Sequence, residues 1–402
     1  MKGARSNKSP ASAPANQHGV VVNGYSCGWL RRGFCWVYPN EVRTGRVEPG
    51  KEIAIFAEDG TCLGAGIGDS GWIAIRRFRR DNGPIAAAVV ERLAKAFALR
   101  KGRCLADTAW RLLNAENDDV PGVRIDVWDT HAVATLDSPH LACLMPTIEP
   151  AIRDLLPTIS TIHIAYRRDP RDTGGSPVPR RATSEDDDVV VVENAVRFAV
   201  RPWLGKDAGL FTDMRQVRHW LRPHWAGRRV LNLFAHTGAF SVAAAMGLAC
   251  EVETVDMSEH YLARARANFS LNGLDPIAYS FAAEESFHAL DRLRRAGRRF
   301  DIVVVDPPGF SHSDAGDWRG EKDWPRLTAA CLRVLEPGGW LVAASNLGTQ
   351  SPREFGGALQ QGAERAGRQL RTVHEGTPPL DHPAALHFPE GRSFKCWVME
   401  AL

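Results

Sequence analysis

The sequence predicts an α/β fold: a doubly wound parallel sheet in the C-terminal half, preceded by a small β-barrel domain and an α+β middle domain. Three observations carry that prediction. From Val189 onward short apolar runs alternate with helical stretches, the pattern of βαβ units. From Val20 to Pro84 the chain instead shows short strands broken by turns, with Asp59-Gly60 marking a hairpin between Glu52–Ala57 and Thr61–Gly66. Within the α/β half, a short β-branched strand pattern runs straight into Asp306-Pro307-Pro308-Gly309-Phe310. In open α/β sheets ligands bind outside the carboxyl ends of the strands, so this acid, rigid turn and aromatic ring fall where chemistry is expected.

Bulk properties set the limits. The chain has 402 residues, 44% of them hydrophobic and 24% charged, enough for two or three soluble domains with their own cores. A net charge of only +3 means that any nucleic-acid surface must arise from local clustering. Eight scattered cysteines without a Cys-x-x-Cys pair argue against a zinc or iron–sulfur site and for a reducing, cytoplasmic setting. No apolar run reaches membrane-span length.

Taken in order, residues 1–19 read as a disordered tail, basic and without an apolar core, with an organelle-targeting peptide as the alternative. Residues 20–86 form the β domain. Its strand Trp72–Ile75 leads into Arg76-Arg77-Phe78-Arg79-Arg80, and the aromatics Phe34, Trp36 and Phe78 interleave with arginines, a pattern suited to phosphates and stacked bases or to a solvated rim. Residues 87–188 form the middle domain, with a helix over Ile85–Arg100, strands over Val123–Val127 and Ala132–Leu136, helical material from Leu141 to Leu155 and a strand over Thr161–Tyr166. Tyr166 to Asp188 is charged and Pro/Gly-rich, which suggests a mobile insertion.

Residues 189–402 form the doubly wound domain. Strands are expected near Arg229–Phe234, Glu251–Asp256, Ile277–Ala282, Ile302–Asp306, Trp340–Ser345 and Phe394–Met399, with Pro337-Gly338-Gly339 as a helix stop before the fifth. The first strand enters Phe234-Ala235-His236-Thr237-Gly238, where glycine permits close backbone approach to a ligand and the next helix offers free N–H groups. A pyrophosphate-binding loop would carry Gly-x-Gly-x-x-Gly; the single glycine favours a ligand bearing a carboxylate. Asp256 ends the second strand where an acid can hold ribose hydroxyls, or cap the next helix. Glu285, with Glu284 as the alternative, could accept from an adenine amino group. Together these describe S-adenosyl-L-methionine.

Five blocks then resemble a known family. Leu231 to Ser241 and Asp306-Pro307-Pro308-Gly309-Phe310 look like signature segments of bacterial large-subunit rRNA methyltransferases, which join a PUA RNA-binding domain to a class I, Rossmann-like methyltransferase domain. Lys206 to Arg215 resembles the family's block that closes over the cofactor, Arg111 to Val123 its middle domain, and Gly33 to Pro39 the start of its PUA domain. The resemblance implies an RNA partner, rRNA or a ribosomal subunit, and places Lys206, Asp213 and Arg215 at the pocket, with Arg215 able to hold the methionine carboxylate. The expected cofactor set is thus Asp213, Arg215, Phe234, Thr237, Gly238, Asp256, Glu285 and Asp306; the catalytic set is Asp306, Pro307, Phe310 and Asn346. A homodimer is left open.

The best-known branch of this family methylates cytosine C5 through a cysteine adduct. Here Asn346 stands where that cysteine belongs, Gly309 occupies the alternative position, and Cys331 and Cys396 read as packing residues. Ala344-Ser345-Asn346 and Phe310-Ser311-His312-Ser313 resemble the related guanine-N7 branch, in which a ring nitrogen attacks with its own lone pair. The expected activity is therefore methylation of a base nitrogen, with Phe310 stacking the base and Asp306 and Asn346 bonding its edge. Cytosine C5 methylation, a non-catalytic ribosome-assembly role, and methylation of small molecules or proteins are the rivals.

Overall fold

Runs such as Val303-Val304-Val305 are β-branched and apolar on both faces, so they are stable only between helices, in the interior of a parallel sheet. The computed structural model, which describes residues 19–102, 107–167, 188–311 and 318–402, places them there. By contacts the chain forms two units: 1–101 with 111–181 and 383–389, and 102–110 with 182–382 and 390–402.

The second unit holds a seven-stranded sheet. Its strands are β1 (Arg229–Leu233), β2 (Glu251–Asp256), β3 (Ser280–Ala283), β4 (Phe300–Val305), β5 (Leu335–Ser345), β6 (Leu370–Gly376) and β7 (Lys395–Ala401). The order is β3-β2-β1-β4-β5-β7-β6, with β1 to β5 parallel and β7 antiparallel to both neighbours. Helices α1 (Ala239–Met246), α2 (Glu259–Leu271), α3 (Ser286–Arg295), α4 (Gly320–Leu332) and α5 (Pro352–Arg365) supply the crossovers. Strand order reverses between β1 and β4, whose register pairs Leu233 with Val305. The residues following these two strands therefore emerge side by side at the switch point of the sheet. Leu231, Leu233, Val303, Val305, Trp324 and Phe355 pack in the core beneath them.

Some strand expectations shift. Ile277 lies in a 3-10 turn, 91% exposed, and β3 begins only at Ser280. Pro337-Gly338-Gly339 does not precede β5 but lies inside it: the register jumps from Phe300↔Leu335 to Ile302↔Trp340, and Gly338 takes φ +75° at this bulge. The edge strand β6 was not expected. Its Leu-Arg-Thr-Val-His-Glu-Gly sequence has no apolar face to advertise it.

The first unit contains a mixed six-stranded sheet in the order Trp36–Val37, Ile75–Arg79, Cys62–Gly68, Glu52–Ala57, Gly19–Val22, Val42–Thr44. Glu52–Ala57 and Cys62–Gly68 form the expected hairpin. The strand expected over Trp72–Ile75 is instead Ile75–Arg79, so the arginine run is itself sheet. Arg76 and Arg77 are consequently buried. Arg76 pairs with Asp69 at 3.2 Å and Glu116 at 3.5 Å, and Arg77 donates to the carbonyls of Leu63 and Phe34. Phe34 and Phe78 are buried too, so neither offers a face for stacking bases. A four-stranded sheet follows, Thr161–Tyr166, His131–Leu136, Val123–Trp128 and Ala109–Asn114, beside the helices Ile85–Arg100 and Met145–Leu155. Most of the tail (1–18) and of the charged insertion (168–187) lies outside the described residues.

Candidate active site at the carboxyl ends of the central strands

The loop after β1 holds three residues at positive φ: Phe234 at +54°, His236 at +52° and Gly238 at +75°. Such backbone costs about 1 kcal/mol or more for each non-glycine residue, so neighbours must hold it in place. Asp256 accepts from the His236 N–H at 2.8 Å and from the Ser258 N–H at 2.9 Å. The Asn268 amide donates to the Thr237 carbonyl at 3.0 Å, and the Thr237 hydroxyl donates to the Gly209 carbonyl. Gly238 is confined by α2: a Cβ there would lie 2.8 Å from Ala265 Cβ. Its lack of a side chain thus serves helix packing as well as the turn. Thr237 is fully buried with its hydroxyl engaged, so it holds the loop from beneath.

After β4, Asp306 and Pro307 are recessed while Pro308, Gly309 and Phe310 face outward, Phe310 50% exposed. Burial pushes the Asp306 carboxyl up to about 7, and the Asp213 carboxylate adds to the rise. Asp213 stands in the 3-10 turn Thr212–Met214. Its Oδ2 accepts from Asn346 Nδ2 at 3.1 Å; its Oδ1 is buried and accepts from no described residue. Neither acid has a lysine or arginine within ion-pair distance among the described residues, and Arg218 acts on Asp306 only through space. Asp213, Asp306 and Asn346 therefore form an acceptor-rich corner with unspent negative charge.

The turn beyond Asp306 is braced. Trp318 Nε1 donates to the Pro308 carbonyl at 2.6 Å, Phe310–Ser311 pairs with Trp318–Arg319, and the Phe234 ring lies 5.8 Å from that of Trp318. A side chain at Gly309 would press on Leu347, 3.2 Å from its Cδ1. His312 and Ser313 lie outside the described residues. Asn346 is exposed just after β5. The next residue is tied down by Lys395, which sequence reasoning missed: its ammonium donates to the carbonyls of Leu347 at 2.9 Å and Ser393 at 2.7 Å. Burial lowers its pKa.

Two expected cofactor residues are engaged elsewhere. Arg215 was offered to the methionine carboxylate; instead its guanidinium is buried, bonding Asp381 at 2.5 Å and the Ala109 carbonyl at 2.9 Å, with Asp107 at 3.4 Å. It is an anchor for the segment carrying Asp213. Asp381 and His382, whose Nε2 lies 3.3 Å from Thr212 Oγ1, were missed because they fall in an aperiodic stretch between β6 and β7. Glu285 caps α3, accepting from the N–H groups of Phe287 and His288 through Oε2 and leaving Oε1 out of both bonds. Glu284 is held by Arg292. The side chain of Lys206 lies outside the described residues. Cys331 and Cys396 are fully buried, and burial raises both thiols well above their usual range, Asp306 and Asp213 adding to the rise at Cys396.

The donor set fits S-adenosylmethionine. Two carboxyl groups without counterions suit a ligand carrying an ammonium and a sulfonium, and an acid ends β2 where a ribose would lie. Comparison with known proteins agrees. Residues 179–380 match the S-adenosylmethionine-dependent methyltransferase family. The chain is 30% identical to the ribosomal RNA large subunit methyltransferase I of Tolumonas auensis, over 93% of this chain and 96% of that one. It is 31% identical to the protein of the same name from Aeromonas salmonicida, over 95% and 98%. In fold it is similar to a methyltransferase solved in complex with SAH, at a TM-score of 0.83 and 21% identity, covering 95% of this chain and 99% of that one. The chain is an enzyme that uses S-adenosylmethionine, and it belongs to the S-adenosylmethionine-dependent methyltransferase family.

Proposed function

We propose that this enzyme methylates a base nitrogen of large-subunit rRNA, guanine N7 or a chemically similar position, without a covalent cysteine intermediate. The observation that carries the reading is the composition of the corner around Asp306: carboxyl groups, an amide and an exposed aromatic ring, with Gly309 and Asn346 where a nucleophilic thiol would stand. Cys396 lies behind this corner, but burial keeps its thiol protonated, and the neighbouring Asp306 and Asp213 add to the effect. A ring nitrogen needs no adduct, only alignment and exclusion of water. The names of the relatives from Tolumonas and Aeromonas support rRNA as the substrate.

On this reading Asp256 accepts from the ribose hydroxyls, each of its oxygens retaining a lone pair beside its single backbone donor. Glu285 Oε1 accepts from the adenine amino group. Phe234 and the backbone through Gly238 form the floor, and Asp213 with Asp306 faces the cationic end of the cofactor. Bound there, S-adenosylmethionine supplies a sulfonium methyl group to the base nitrogen's lone pair. Phe310 stacks a flipped-out base, Asp306 and Asn346 Oδ1 bond its edge, and Pro307 stiffens the wall. The β region 20–86 contributes RNA contacts, the middle region 87–188 connects it to the catalytic region 189–402, and the setting is cytoplasmic.

The test is methyl transfer from labelled S-adenosylmethionine to deproteinised rRNA and to isolated ribosomal subunits. Wild type labels RNA; Phe310→Ala loses at least tenfold in turnover while keeping its calorimetric affinity for the cofactor, and Asp256→Ala loses that affinity. Cofactor binding with no transfer to any RNA contradicts the proposal.

A further inference from the structure

The turn that carries Asn346 is weakly held by its own bonds. It leaves β5 at Ser345 and runs to Gln350. Within it the Leu347 N–H donates to Ser345 Oγ at 3.3 Å, the Gln350 N–H donates to the Leu347 carbonyl at 3.2 Å, and Ser345 Oγ donates to Gln350 Oε1 at 3.4 Å. All three lie at or beyond the long end of the ordinary hydrogen-bond range. Asn346 itself is exposed, and its side chain is bonded to Asp213 at 3.1 Å.

The shorter bonds come from outside the turn. Lys395, the first residue of β7, stands opposite Ser345 in the sheet register. Its ammonium donates to the Leu347 carbonyl at 2.9 Å and to the Ser393 carbonyl at 2.7 Å, which stitches the turn to the segment entering β7. The Leu347 side chain is confined as well: a Cβ at Gly309 would lie 3.2 Å from its Cδ1, and one at Gly320 would lie 3.7 Å from its Cδ2. Leu347 is thus held at its carbonyl by Lys395 and at its side chain beside the turn that follows Asp306, and Asn346 is the residue immediately before it.

For folding alone, lysine is a costly choice at this position. Lys395 is 4% exposed and forms no ion pair with a described residue. Carbonyls satisfy its N–H groups but leave its charge in place, and burial lowers its pKa accordingly. An apolar side chain of similar length, such as methionine, would fill the space without desolvating a charge. A side chain that is a liability for folding, and whose bonds end on the neighbour of a base-contacting residue, has the marks of a device for the site.

We propose that Lys395 is a positioning residue for methyl transfer: by holding the Leu347 carbonyl it fixes Asn346 beside Asp213, so that Asn346 Oδ1 meets the edge of the acceptor base in register with the methyl group. This rests on the reading of Asn346 as a base contact, and adds to it the group that sets where that contact stands. Misplacing a contact by about 1 Å is enough to cost on the order of a hundredfold in rate.

The experiment compares Lys395→Met with wild type as full chains, in two readouts. Amide hydrogen exchange of the peptide spanning 346–350 is expected to speed up in Lys395→Met while exchange in β1, β4 and β5 stays the same, with the melting temperature unchanged or raised and calorimetric affinity for S-adenosylmethionine within about twofold of wild type. In methyl transfer to rRNA, kcat is expected to fall at least tenfold. In an Asn346→Ala background the same substitution is expected to cost less than about twofold, because the contact that Lys395 positions is already gone. Should the methionine variant bind no cofactor, Lys395→Gln, which keeps an N–H donor without the charge, takes its place with the same expectations at smaller size. Unchanged exchange over 346–350 overturns the proposal. So does a tenfold loss that recurs in full in the Asn346→Ala background, the mark of a general structural role. Wild type that transfers methyl to no RNA contradicts the function proposed above, whereas the exchange readout tests the Lys395 clamp independently of any substrate.

Discussion

Asp306 is the residue on which protonation, burial and chemistry converge. Burial, with Asp213 acting in the same sense, raises its carboxyl to about 7. A carboxyl group whose folded pKa exceeds its unfolded value of about 3.9 favours the folded state most at low pH; that contribution is lost as pH climbs through the folded value. Ionised Asp306 therefore costs stability at pH 8, already costs part of it at pH 5, where the unfolded carboxyl is largely ionised, and costs little at pH 4. Replacing it with asparagine is expected to raise the melting temperature at pH 8, by on the order of a few kcal/mol of stability, and to leave it nearly unchanged at pH 4. Thermal scans across pH 4–8 check this, and an equal effect at both ends would show that Asp306 does not titrate in this window. Stability gained by removing a group at the centre of a site is the expected trade between function and folding. The corner has the same character at Asp213, whose buried Oδ1 meets no donor among the described residues.

At the scale of elements, the strands that carry the site were legible because burial on both faces leaves short, mainly apolar runs. Ile302 to Val305 is unbroken, Val230 to Leu233 is interrupted by Asn232 and Val252 to Val255 by Glu253 and Thr254, and each strand ends within a residue of its expected boundary. The edge strand Leu370–Gly376 gave no such signature, since its side chains are mostly in water. Nor did sequence disclose that Arg76, Arg77 and Arg215 are interior. A charged residue reads as surface until its partner is known, and for Arg215 that partner, Asp381, is distant in sequence, as is Glu116, the second partner of Arg76. The placement of Asp256 and Asp306 at strand ends was legible. The positions of Asp381, His382 and Lys395 depended on packing that no local pattern encodes. Arg215 supplies the test at this scale. As an anchor, its replacement by methionine strands the Asp381 carboxylate and is expected to destabilise the protein by about 3 kcal/mol or more. The folded fraction would still bind cofactor with unchanged affinity. A denaturation midpoint equal to wild type together with lost cofactor binding would return Arg215 to the methionine carboxylate.

At the scale of the whole molecule, a net charge of +3 gives little hint of a nucleic-acid partner, because the charge that matters is local. Carboxyl groups without a counterion among the described residues gather at Asp213 and Asp306, while in the other unit Arg77, Arg80 and Arg92 line a cleft together with Asp119. On the function proposed above, the acidic corner faces the methyl donor. The same architecture with a cysteine at Gly309 or Asn346 would serve a carbon acceptor. Their absence is what commits the account to nitrogen. The direct measurement is mass spectrometry of nucleosides from the large-subunit rRNA of cells with and without the gene. The account predicts that an N-methylated base, 7-methylguanine foremost, disappears when the gene is removed and returns with wild type but not with Phe310→Ala; loss of a 5-methylcytosine instead would contradict it.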